Sequence, residues 1–360
     1  MVRLLPMPLR CFLMCLLAVL LPCAGVAAQA ERITARELGL VINTADPYSV
    51  AVGAYYESRR GIPARQVLRV ELPVRPSLSA AEFASLALQV RAFMGPQVQG
   101  LALAWTQPFA VECNSITAAI TLGLQGDLCS HTCAASNTSA LFSSSTARPF
   151  RDYALRPSML LASRDVEAAK ALIERGIASD HSLVRPGEQA ALAVFVKTHD
   201  PARNVRAAVF PPPGPIAGTN AQVTVRDVED RAPLQRVFLY QTGLARVDAI
   251  DHAQWLPGAL ADHLTSSGGQ LLGAGGQTSV LDWLEAGATA SYGTVSEPCN
   301  HLQKFPQPQV LLSSYLQGVS ALEAYWRSVA WPAQGVFVGE PLAAPFAPAD
   351  IVPAIQGADR

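Results

Sequence analysis

The sequence predicts an α/β protein with a mostly parallel central sheet flanked by helices and with a disulfide-held loop insertion. Short apolar runs alternate with longer segments of helical periodicity, in the order strand, helix, strand, helix, strand, between residues 38 and 105. This alternation is typical of parallel strands joined by right-handed crossovers. The chain has 360 residues, of which 50% are hydrophobic and 15% are charged, so it can form one large or two smaller hydrophobic cores.

The first unit of this pattern is a strand predicted over residues 38–44 and the helix that follows it. Asp46 has a side chain suited to cap that helix, and Pro47 is favoured in its first turn. Asn43, Thr44 and Asp46 also stand at the carboxyl end of the strand, where open α/β sheets bind ligands. We favour the capping role, because the pattern is satisfied without a ligand.

The later elements are predicted on the same grounds. Ser79 and Glu82 have the spacing of a capping box, which opens a helix that runs to about residue 94. The remaining predicted elements are strands over residues 66–72, 100–105, 158–162, 190–196, 236–242 and 287–295, and helices over residues 165–178, 256–266 and 278–285. Strand and helix therefore alternate through most of the chain.

Two stretches interrupt the pattern. Periodicity fails over residues 111–157, and a loop of this length in a compact domain is usually functional or tied down, here by cysteines. The proline-rich run that opens residues 211–234 cannot be helical and predicts a connector. The predicted organisation is therefore a signal peptide (residues 1–30), an N-terminal α/β region that contains the insertion (31–210), the connector (211–234), a C-terminal α/β region (235–348) and a tail (349–360).

The N-terminus has the pattern of an export signal. Arg3 and Arg10 precede an apolar run over residues 11–21, and small residues follow the run up to Ala30. This order defines a secretory signal peptide, and no later stretch is long enough to span a membrane. We predict an exported protein, periplasmic or extracellular, with no stable membrane span after signal cleavage. The formal net charge of −1 predicts no nucleic-acid partner, and no other partner is identified.

Export determines the role expected of the cysteines. Cys113, Cys129, Cys133 and Cys299 remain after signal removal, and an even number in an oxidising compartment favours two disulfides, with three possible pairings. Cys299 is a natural partner for Cys113, because each follows a predicted strand end. Residues 129–133 also resemble half of a zinc site, but the chain has no evident second half.

Polar side chains follow the predicted strand over residues 287–295, and we place the candidate site there. One catalytic hypothesis uses Cys299 as a nucleophile with His252, His263 or His301 as its base. Asp262 or Glu297 would orient that base. The hypothesis competes with the disulfide role of Cys299, since a disulfide would remove the thiolate.

A metal hypothesis would gather the acidic and imidazole side chains of the same segments, namely Asp262, His263, Glu297 and His301. No pair of them has the i, i+4 helical spacing, with a general-base Glu, that marks metallopeptidases. Isolated His and Asp side chains more often cap helices or hold loops. The sequence therefore predicts no metal and no cofactor.

Three groups of segments resemble an uncharacterised, conserved family of exported bacterial proteins. They are Asn43-Thr44-Ala45-Asp46-Pro47 with Tyr55-Tyr56 and Arg60-Gly61-Ile62-Pro63, Pro257-Gly258-Ala259 with Asp262-His263-Leu264-Thr265-Ser266, and Gly293-Thr294-Val295 with Glu297-Pro298, Phe305-Pro306 and Gly339-Glu340-Pro341-Leu342. The resemblance extends over nearly the whole mature chain. It implies export and adds no activity.

A more distant resemblance is to the gingipain-like cysteine peptidases, which have a caspase-type fold. The segments that follow the order of that family are Tyr240-Gln241-Thr242-Gly243, Gly287-Ala288, Gly318 with Glu323-Ala324, and Gly339-Glu340-Pro341. In those peptidases a His-Gly pair follows the first strand and a Cys follows the next. Here Leu244 follows Gly243, and no Cys lies between residues 240 and 290. The resemblance implies the fold and argues against the peptidase dyad in its usual place.

Taken together, these observations predict an exported α/β protein with a binding or otherwise non-catalytic role. Its strand-edge loops and its insertion would present the recognition surface. The alternative is a hydrolase, cysteine peptidase-like or metal-assisted, that uses the cluster near Cys299. The two classes differ in whether Cys299 and His263 are available for chemistry, which fold class alone does not decide.

Overall fold

The computed structural model describes residues 31–184, 189–248, 250–273 and 275–348. The predicted signal peptide, residues 1–30, and the predicted tail, residues 349–360, lie outside them. Within the described residues, no helix combines the length and the apolar character needed to cross a membrane.

Fourteen strands and eight α-helices occur within the described residues. The strands are β1 (Leu38–Asn43), β2 (Val67–Val70), β3 (Ser77–Leu78), β4 (Gly100–Leu103), β5 (Ala110–Val111), β6 (Asn114–Ser115), β7 (Ser158–Leu160), β8 (Ala191–Lys197), β9 (Gly214–Pro215), β10 (Ala221–Asp227), β11 (Leu234–Thr242), β12 (Ala253–His263), β13 (Ala290–Thr294) and β14 (Gly335–Gly339). The helices are α1 (Pro47–Arg60), α2 (Ala80–Phe93), α3 (Ile116–Leu122), α4 (Pro149–Tyr153), α5 (Val166–Ser179), α6 (Val280–Ala286), α7 (Pro308–Leu316) and α8 (Ala321–Ser328).

One large sheet organises this part of the chain. Its eleven strands have the order β2-β1-β4-β7-β14-β13-β12-β11-β8-β10-β9. Neighbouring strands are parallel except that β14 is antiparallel to β13 and β9 is antiparallel to β10. The predicted fold class, α/β with a mostly parallel central sheet flanked by helices, is confirmed. Strands β3, β5 and β6 form a small separate sheet.

Both faces of the large sheet are buried. In β1, Leu40 and Ile42 pack on one face and Val41 on the other, because successive side chains of a strand point to opposite sides. Helices α1, α7 and α8 contribute apolar side chains to the first core, and α2, α3 and α6 contribute to the second. A strand covered on both faces is a continuous apolar run, which is why these strands could be predicted from the sequence.

The predicted helix caps are present. The Asp46 carboxylate accepts a hydrogen bond from the backbone N–H of Tyr48 at 3.0 Å, and Pro47 occupies the first helical position of α1. Gly61 ends the helix in the left-handed conformation, with a φ of 64°. The Ser79 and Glu82 side chains form the predicted capping box at the start of α2.

The helix predicted over residues 256–266 is wrong, because residues 256–263 lie in β12. Helix propensity is a weak preference that tertiary contacts override, and here β11 and β13 pair with β12 on either side. The small side chains Ala259 and Ala261 are fully buried within the sheet. Pro257 and Gly258, with a φ of 86°, fall where the register with β11 shifts, so neither interrupts a regular ladder.

Two predicted irregular stretches contain regular structure. Residues 211–234, predicted as a connector, include β9 and also β10, which pairs with β8 along its full length. One sheet therefore runs through both predicted regions, and the domain division stays a prediction. The insertion over residues 111–157 contains α3 and α4, and its cysteines form disulfides.

The strand order changes direction at two places in the sheet. Strand β1 lies between β2 and β4, and strand β8 lies between β10 and β11, each in parallel pairing. At such switch points the connecting segments leave in opposite directions, which opens a crevice beyond the carboxyl ends of the strands. Ligands of open α/β sheets bind in crevices of this kind, so both positions are candidate ligand sites.

Candidate functional site

A cavity of about 310 Å³ lies at the first switch point. Its walls come from the segments that follow β1, β2, β4 and β7 and from the segment that follows β12. We call this cavity the open cleft and define it by the residues that line it, which are Asp46, Tyr48, Val74, Thr106, Gln107, Ser163, Arg164, Leu271, Leu272 and Leu281. Its volume lies at the lower end of the range found for small-molecule sites.

Hydrogen bonds between three strand ends hold the inner wall of the open cleft. The Tyr48 hydroxyl donates to the Leu161 carbonyl at 3.1 Å, and the Thr106 hydroxyl donates to the Ser163 carbonyl at 2.9 Å. These bonds join α1 and the segment after β4 to the segment after β7. Burial raises the pKa of Tyr48 well above its usual value, with a smaller contribution from the negative charge of Asp46, so its phenol stays protonated.

Three polar groups of the open cleft have unused hydrogen-bonding capacity. Asp46 is 8% exposed and, within the described chain, forms no ion pair. The Ser163 side chain is 5% exposed, and its hydroxyl has no hydrogen-bond partner among the described residues. The half-buried side-chain amide of Gln107 is likewise unpartnered there. Three side chains that line one cavity and keep free hydrogen-bonding groups provide a place for a polar ligand.

The outer wall of the open cleft is apolar. Leu271 and Leu281 are buried beneath it, whereas Leu272 and Val74 at the rim are 57% and 49% exposed. Large apolar side chains with this exposure are few in the described chain, and two of them border the same cavity. Free polar groups on one side and apolar side chains on the other are what a small amphipathic ligand requires.

Arg164 is the cation of the open cleft, and it is already paired. It forms ion pairs with Asp282, at 2.5 Å, and with Glu285, both on α6. The three side chains are between one third and one half exposed, so these pairs contribute little to stability. Their effect is to connect the segment after β7 to α6 and to leave no free positive charge on this wall.

The second switch point is filled by the protein itself. The segment after β8 folds back over the strand ends, and the Thr198 hydroxyl donates to the Gly243 carbonyl at 2.7 Å. A Cβ atom on Gly243 would lie 1.9 Å from the Arg203 carbonyl oxygen, so only glycine permits this approach. We call this region, residues 198–209 with the carboxyl ends of β8, β11 and β12, the closed crevice.

Asp262, one of the predicted catalytic residues, lies inside the closed crevice. It is fully buried at the end of β12, forms an ion pair with Arg206 and accepts a hydrogen bond from Gln241 at 2.8 Å. Arg206 also donates to the Thr242 carbonyl at 2.7 Å. Burial raises the pKa of Asp262, and the Arg206 charge opposes that shift. Asp262 therefore holds the ends of β11 and β12 and the covering segment together, and it is too deeply buried to meet a substrate.

His263, the predicted base, is buried on the face of the sheet opposite to the Asp262 side chain, because successive side chains of a strand point to opposite faces. Its Nδ1 accepts a hydrogen bond from the Trp283 indole N–H at 2.9 Å, which leaves the ring proton on Nε2. Burial lowers the pKa of His263 to about 3, and the positive charge of Arg206 adds to this shift. The imidazole is therefore neutral at physiological pH and fixed by α6.

The remaining candidates lie on a surface loop after β13. Cys299 forms a disulfide with Cys133, and Cys113 pairs with Cys129, so the pairing of Cys113 with Cys299 is wrong. The reason is positional: Cys129 lies on the same insertion, beside Cys113. Because its sulfur is in a disulfide, Cys299 has no thiolate to act as the proposed nucleophile.

Glu297 and His301 are exposed beside that disulfide. Glu297 accepts a hydrogen bond from the Cys299 backbone N–H at 2.7 Å, and the His301 ring packs near Trp331, with ring centroids 6.0 Å apart. These two residues form no hydrogen bond or ion pair with Asp262 or His263, which are buried elsewhere. Within the residues that the structure describes, no three His, Cys, Asp or Glu side chains converge as metal ligands.

A buried lysine, missed by the sequence analysis, fastens the insertion to the sheet edge. Lys304 donates to the Thr132 carbonyl at 2.6 Å and to the Gln334 side chain at 2.8 Å. Burial lowers the pKa of Lys304 to about 8, partly offset by the negative charge of Glu297. Lys304 and the Cys133–Cys299 disulfide therefore both connect the loop after β13 to the insertion.

A larger cavity, of about 530 Å³, lies between the loops that follow β11 and β12. Its walls include Arg246 and Asp248, whose side chains are largely exposed, and the outer side of α6. An open depression between solvated charges provides few fixed groups for recognition. The open cleft has fixed, buried polar groups and a separate apolar wall, so we take it as the candidate site.

Several residues of the open cleft were not predicted. Tyr48, Thr106 and Ser163 were missed, and for Asp46 the helix-capping role was favoured over ligand binding. The available signal was position, since Thr106 and Ser163 directly follow predicted strands that end at the same sheet edge as β1. The strand-end rule, which was applied to the strands over residues 38–44 and 287–295, also indicates these residues when it is applied to the strands over residues 100–105 and 158–162.

Comparisons with known proteins add one distant likeness. No protein family and no curated protein matches this chain. The solved structure of the Arg-specific cysteine proteinase gingipain R has a TM-score of 0.47 and 11% sequence identity, over 87% of this chain and 79% of that chain. No residue role or activity is taken from a likeness at this level, and membership of the uncharacterised exported family stays a prediction.

Proposed function

We propose that this protein is an exported binding protein without catalytic activity and that it takes a small ligand in the open cleft. The observation that carries the proposal is the position of polar side chains with free hydrogen-bonding groups in a cavity at a switch point of the sheet. Asp46 and Ser163 are the more deeply buried of these side chains, at 8% and 5% exposed. A rigid sheet with preformed strand-end loops suits recognition without large rearrangement.

The states of the catalytic candidates support a role without catalysis. Cys299 is in a disulfide, and Asp262 is paired with Arg206 inside the sheet. His263 is neutral and hydrogen-bonded to Trp283. A nucleophile must be accessible and lie beside its base, and these residues do not meet that requirement. No specific observation favours the hydrolase alternative.

Export is supported by two independent features. The N-terminal thirty residues have the order of a signal peptide, and the cysteines beyond them form two disulfides. Structural disulfides persist in oxidising compartments, whereas cytosolic thiols are kept reduced. Expression with the N-terminal segment fused to a reporter, followed by fractionation, tests this part of the proposal.

Ligand-observed NMR with a fragment library tests binding in the open cleft. We expect hits with the wild-type protein that disappear in Gln107→Trp, because an indole at the half-buried position 107 would fill the cavity. Gln89→Trp, an exposed position on α2, is the matched control and should keep the hits. Equal binding by both variants, or no hits at all, would contradict a ligand site in the open cleft.

A pooled peptide and ester substrate library, read by mass spectrometry, tests the absence of catalysis. We expect no turnover above the rate in buffer. Turnover that is lost in His263→Phe or in Cys299→Ala, with the fold retained by circular dichroism, would overturn the non-catalytic role. That result would restore the hydrolase alternative.

A further inference from the structure

Carboxylates dominate the charges around the open cleft. The helices α1, α5 and α6 begin with Asp46, Asp165 and the Ser279–Asp282 capping box, respectively. Helix N-termini ordinarily attract anions through their free N–H groups and their partial positive charge. Here an acidic side chain occupies each N-terminus, so this attraction is replaced by a full negative charge.

Positive charge does not balance these carboxylates. Arg164 is the cation that lines the open cleft, and it is shared between Asp282 and Glu285. Asp46 forms no ion pair within the described chain, and its charge and that of Asp165 both raise the pKa of Tyr48 inside the cleft. The interior of the cleft is therefore a region of negative potential, which repels anions and attracts cations.

The capping role of Asp46 leaves half of its carboxylate unused. Oδ1 accepts the hydrogen bond from the Tyr48 N–H, and Oδ2 accepts none from the described residues. Asn caps helices as well as Asp does, so capping alone does not require a charge at this position. Asp46 is 8% exposed and lines the cavity, so a cation that binds there meets a carboxylate with one oxygen that no described residue occupies.

A second side chain that lines the same cavity can accept hydrogen bonds. Ser163 is 5% exposed, its hydroxyl has no hydrogen-bond partner among the described residues, and it lines the open cleft together with Asp46. A primary ammonium donates three hydrogen bonds and has no acceptor capacity, so it matches a carboxylate and a hydroxyl on one wall. Val74 and Leu272 at the rim would then contact the apolar part of the same molecule.

We infer that the open cleft binds a primary ammonium group attached to an apolar chain, with Asp46 as the counter-charge and Ser163 as a second acceptor. The inference rests on the proposed function, because it names the ligand class of that same site. The ammonium could belong to a free amine or to a lysine side chain of a short peptide. A cavity of about 310 Å³ admits one such group with its chain.

Three probes of equal chain length test the charge. Isothermal titration calorimetry with hexylammonium, hexanol and hexanoate varies the charge and keeps the apolar part. We expect hexylammonium to bind roughly tenfold to a hundredfold more tightly than hexanol, the range of a charge-assisted hydrogen bond, and hexanoate to bind least. A lysine tetrapeptide with blocked termini then distinguishes the two sources, since tighter binding than hexylammonium would indicate a peptide ligand.

Variants at position 46 separate charge from folding. Asp46→Asn and Asp46→Ser keep a side chain that caps α1, so both should fold and should lose most of the preference for hexylammonium over hexanol. Asp230→Asn removes the same charge from the loop before β11 and should leave the preference within about twofold of wild type. Circular dichroism and thermal unfolding check that each variant is folded.

The binding measurements distinguish failure of the ammonium inference from failure of the proposed ligand site in the open cleft. Equal affinity for hexylammonium and hexanol, unchanged in Asp46→Asn but abolished in Gln107→Trp, would overturn the ammonium inference and leave the binding site intact. Binding of hexylammonium that persists in Gln107→Trp would place the amine outside the open cleft and overturn both proposals. No binding of any probe or fragment would also overturn both.

Discussion

The open cleft and the closed crevice occupy equivalent positions in one sheet but differ in what covers them. At the first switch point the segments after β1 and β4 leave a cavity of about 310 Å³. At the second, the segment after β8 folds back, brings Arg206 onto Asp262 and presses the Arg203 carbonyl against Gly243. Topology therefore provides two candidate sites, and the connecting segments decide which one stays available.

The two regions also differ in how their polar groups are satisfied. In the closed crevice a guanidinium, a carboxylate and an amide pair with each other, although Arg206 Nε and Gln241 Oε1 are buried without a hydrogen-bond partner among the described residues. In the open cleft Asp46 and Ser163 line a cavity and keep hydrogen-bonding capacity that a ligand can use. The proposed roles follow this difference: the closed crevice stabilises the fold, and the open cleft binds the ligand.

The largest expected effect is the loss of Arg206. Arg206→Met leaves the Asp262 carboxylate buried and unpaired, so we expect a loss of about 3–5 kcal/mol in the free energy of unfolding, measured by urea denaturation. The double variant Arg206→Met with Asp262→Leu removes both charges and should be more stable than the single variant. Arg164→Met, in the exposed pairs of the open cleft, should cost less than about 1 kcal/mol. Equal losses in Arg206→Met and Arg164→Met would contradict the comparison.

The pH dependence of stability should report the burial of His263. The unfolded histidine takes a proton near pH 6.5, whereas the folded one resists protonation until about pH 3. Since the unfolded state then binds one more proton, stability falls as the pH is lowered, by about 1.4 kcal/mol per pH unit between pH 6 and pH 4. His263→Phe should remove this part of the slope in urea unfolding at a series of pH values. A slope that is unchanged in the variant would show that His263 is not buried as described.

A smaller effect is expected at Gly243. Gly243→Ala places a Cβ against the Arg203 backbone, and because backbone cannot move aside cheaply we expect a loss of about 1–3 kcal/mol. Gly126→Ala is the matched control, since no atom lies within 4 Å of its Cβ position and its stability should change by less than about 0.5 kcal/mol. Thermal unfolding of both variants gives the comparison. A Gly243→Ala protein as stable as wild type would mean that the crevice is not tightly closed.

The smallest effect on stability is expected at the rim of the open cleft. Leu272 is 57% exposed, so Leu272→Ser should change the free energy of unfolding by less than about 0.5 kcal/mol. The same variant should weaken the binding of hexylammonium, because it removes apolar contact with the hexyl chain. If Leu272→Ser lowered the free energy of unfolding but left the affinity for hexylammonium unchanged, the rim of the open cleft would have a structural role and not a binding role.

The local features of this fold could be predicted from the sequence. The strand β1, the cap at Asp46 and the capping box of Ser79 and Glu82 each depend on residues within a few positions of one another. The paired state of the four cysteines followed from their even number. Such features can be predicted because they depend on residues close in the sequence and not on contacts with distant segments.

The errors of the sequence analysis share one cause. Residues 256–266 have the small side chains of a helix, yet β12 forms because β11 and β13 flank it. Strand β10 lacks a strong apolar pattern and is recruited by β8. The partner of Cys299 depends on where the insertion crosses the sheet edge. In each case the structure of the segment depends on another segment, distant in the sequence, that packs beside it and that the local residue pattern does not identify.

The sequence by itself determined the α/β class, the order of most strands and helices, the helix caps and the strand ends at which polar residues would gather. The tertiary structure alone decided which of those strand ends stay accessible, since that depends on segments far apart in the chain meeting at one edge. It buried Asp262 beneath Arg206 and left Asp46 beside a cavity, although each aspartate stands at or just beyond the carboxyl end of a strand. The physical reason is that propensity and capping energies act over a few residues, whereas burial and charge pairing depend on which surfaces finally pack together.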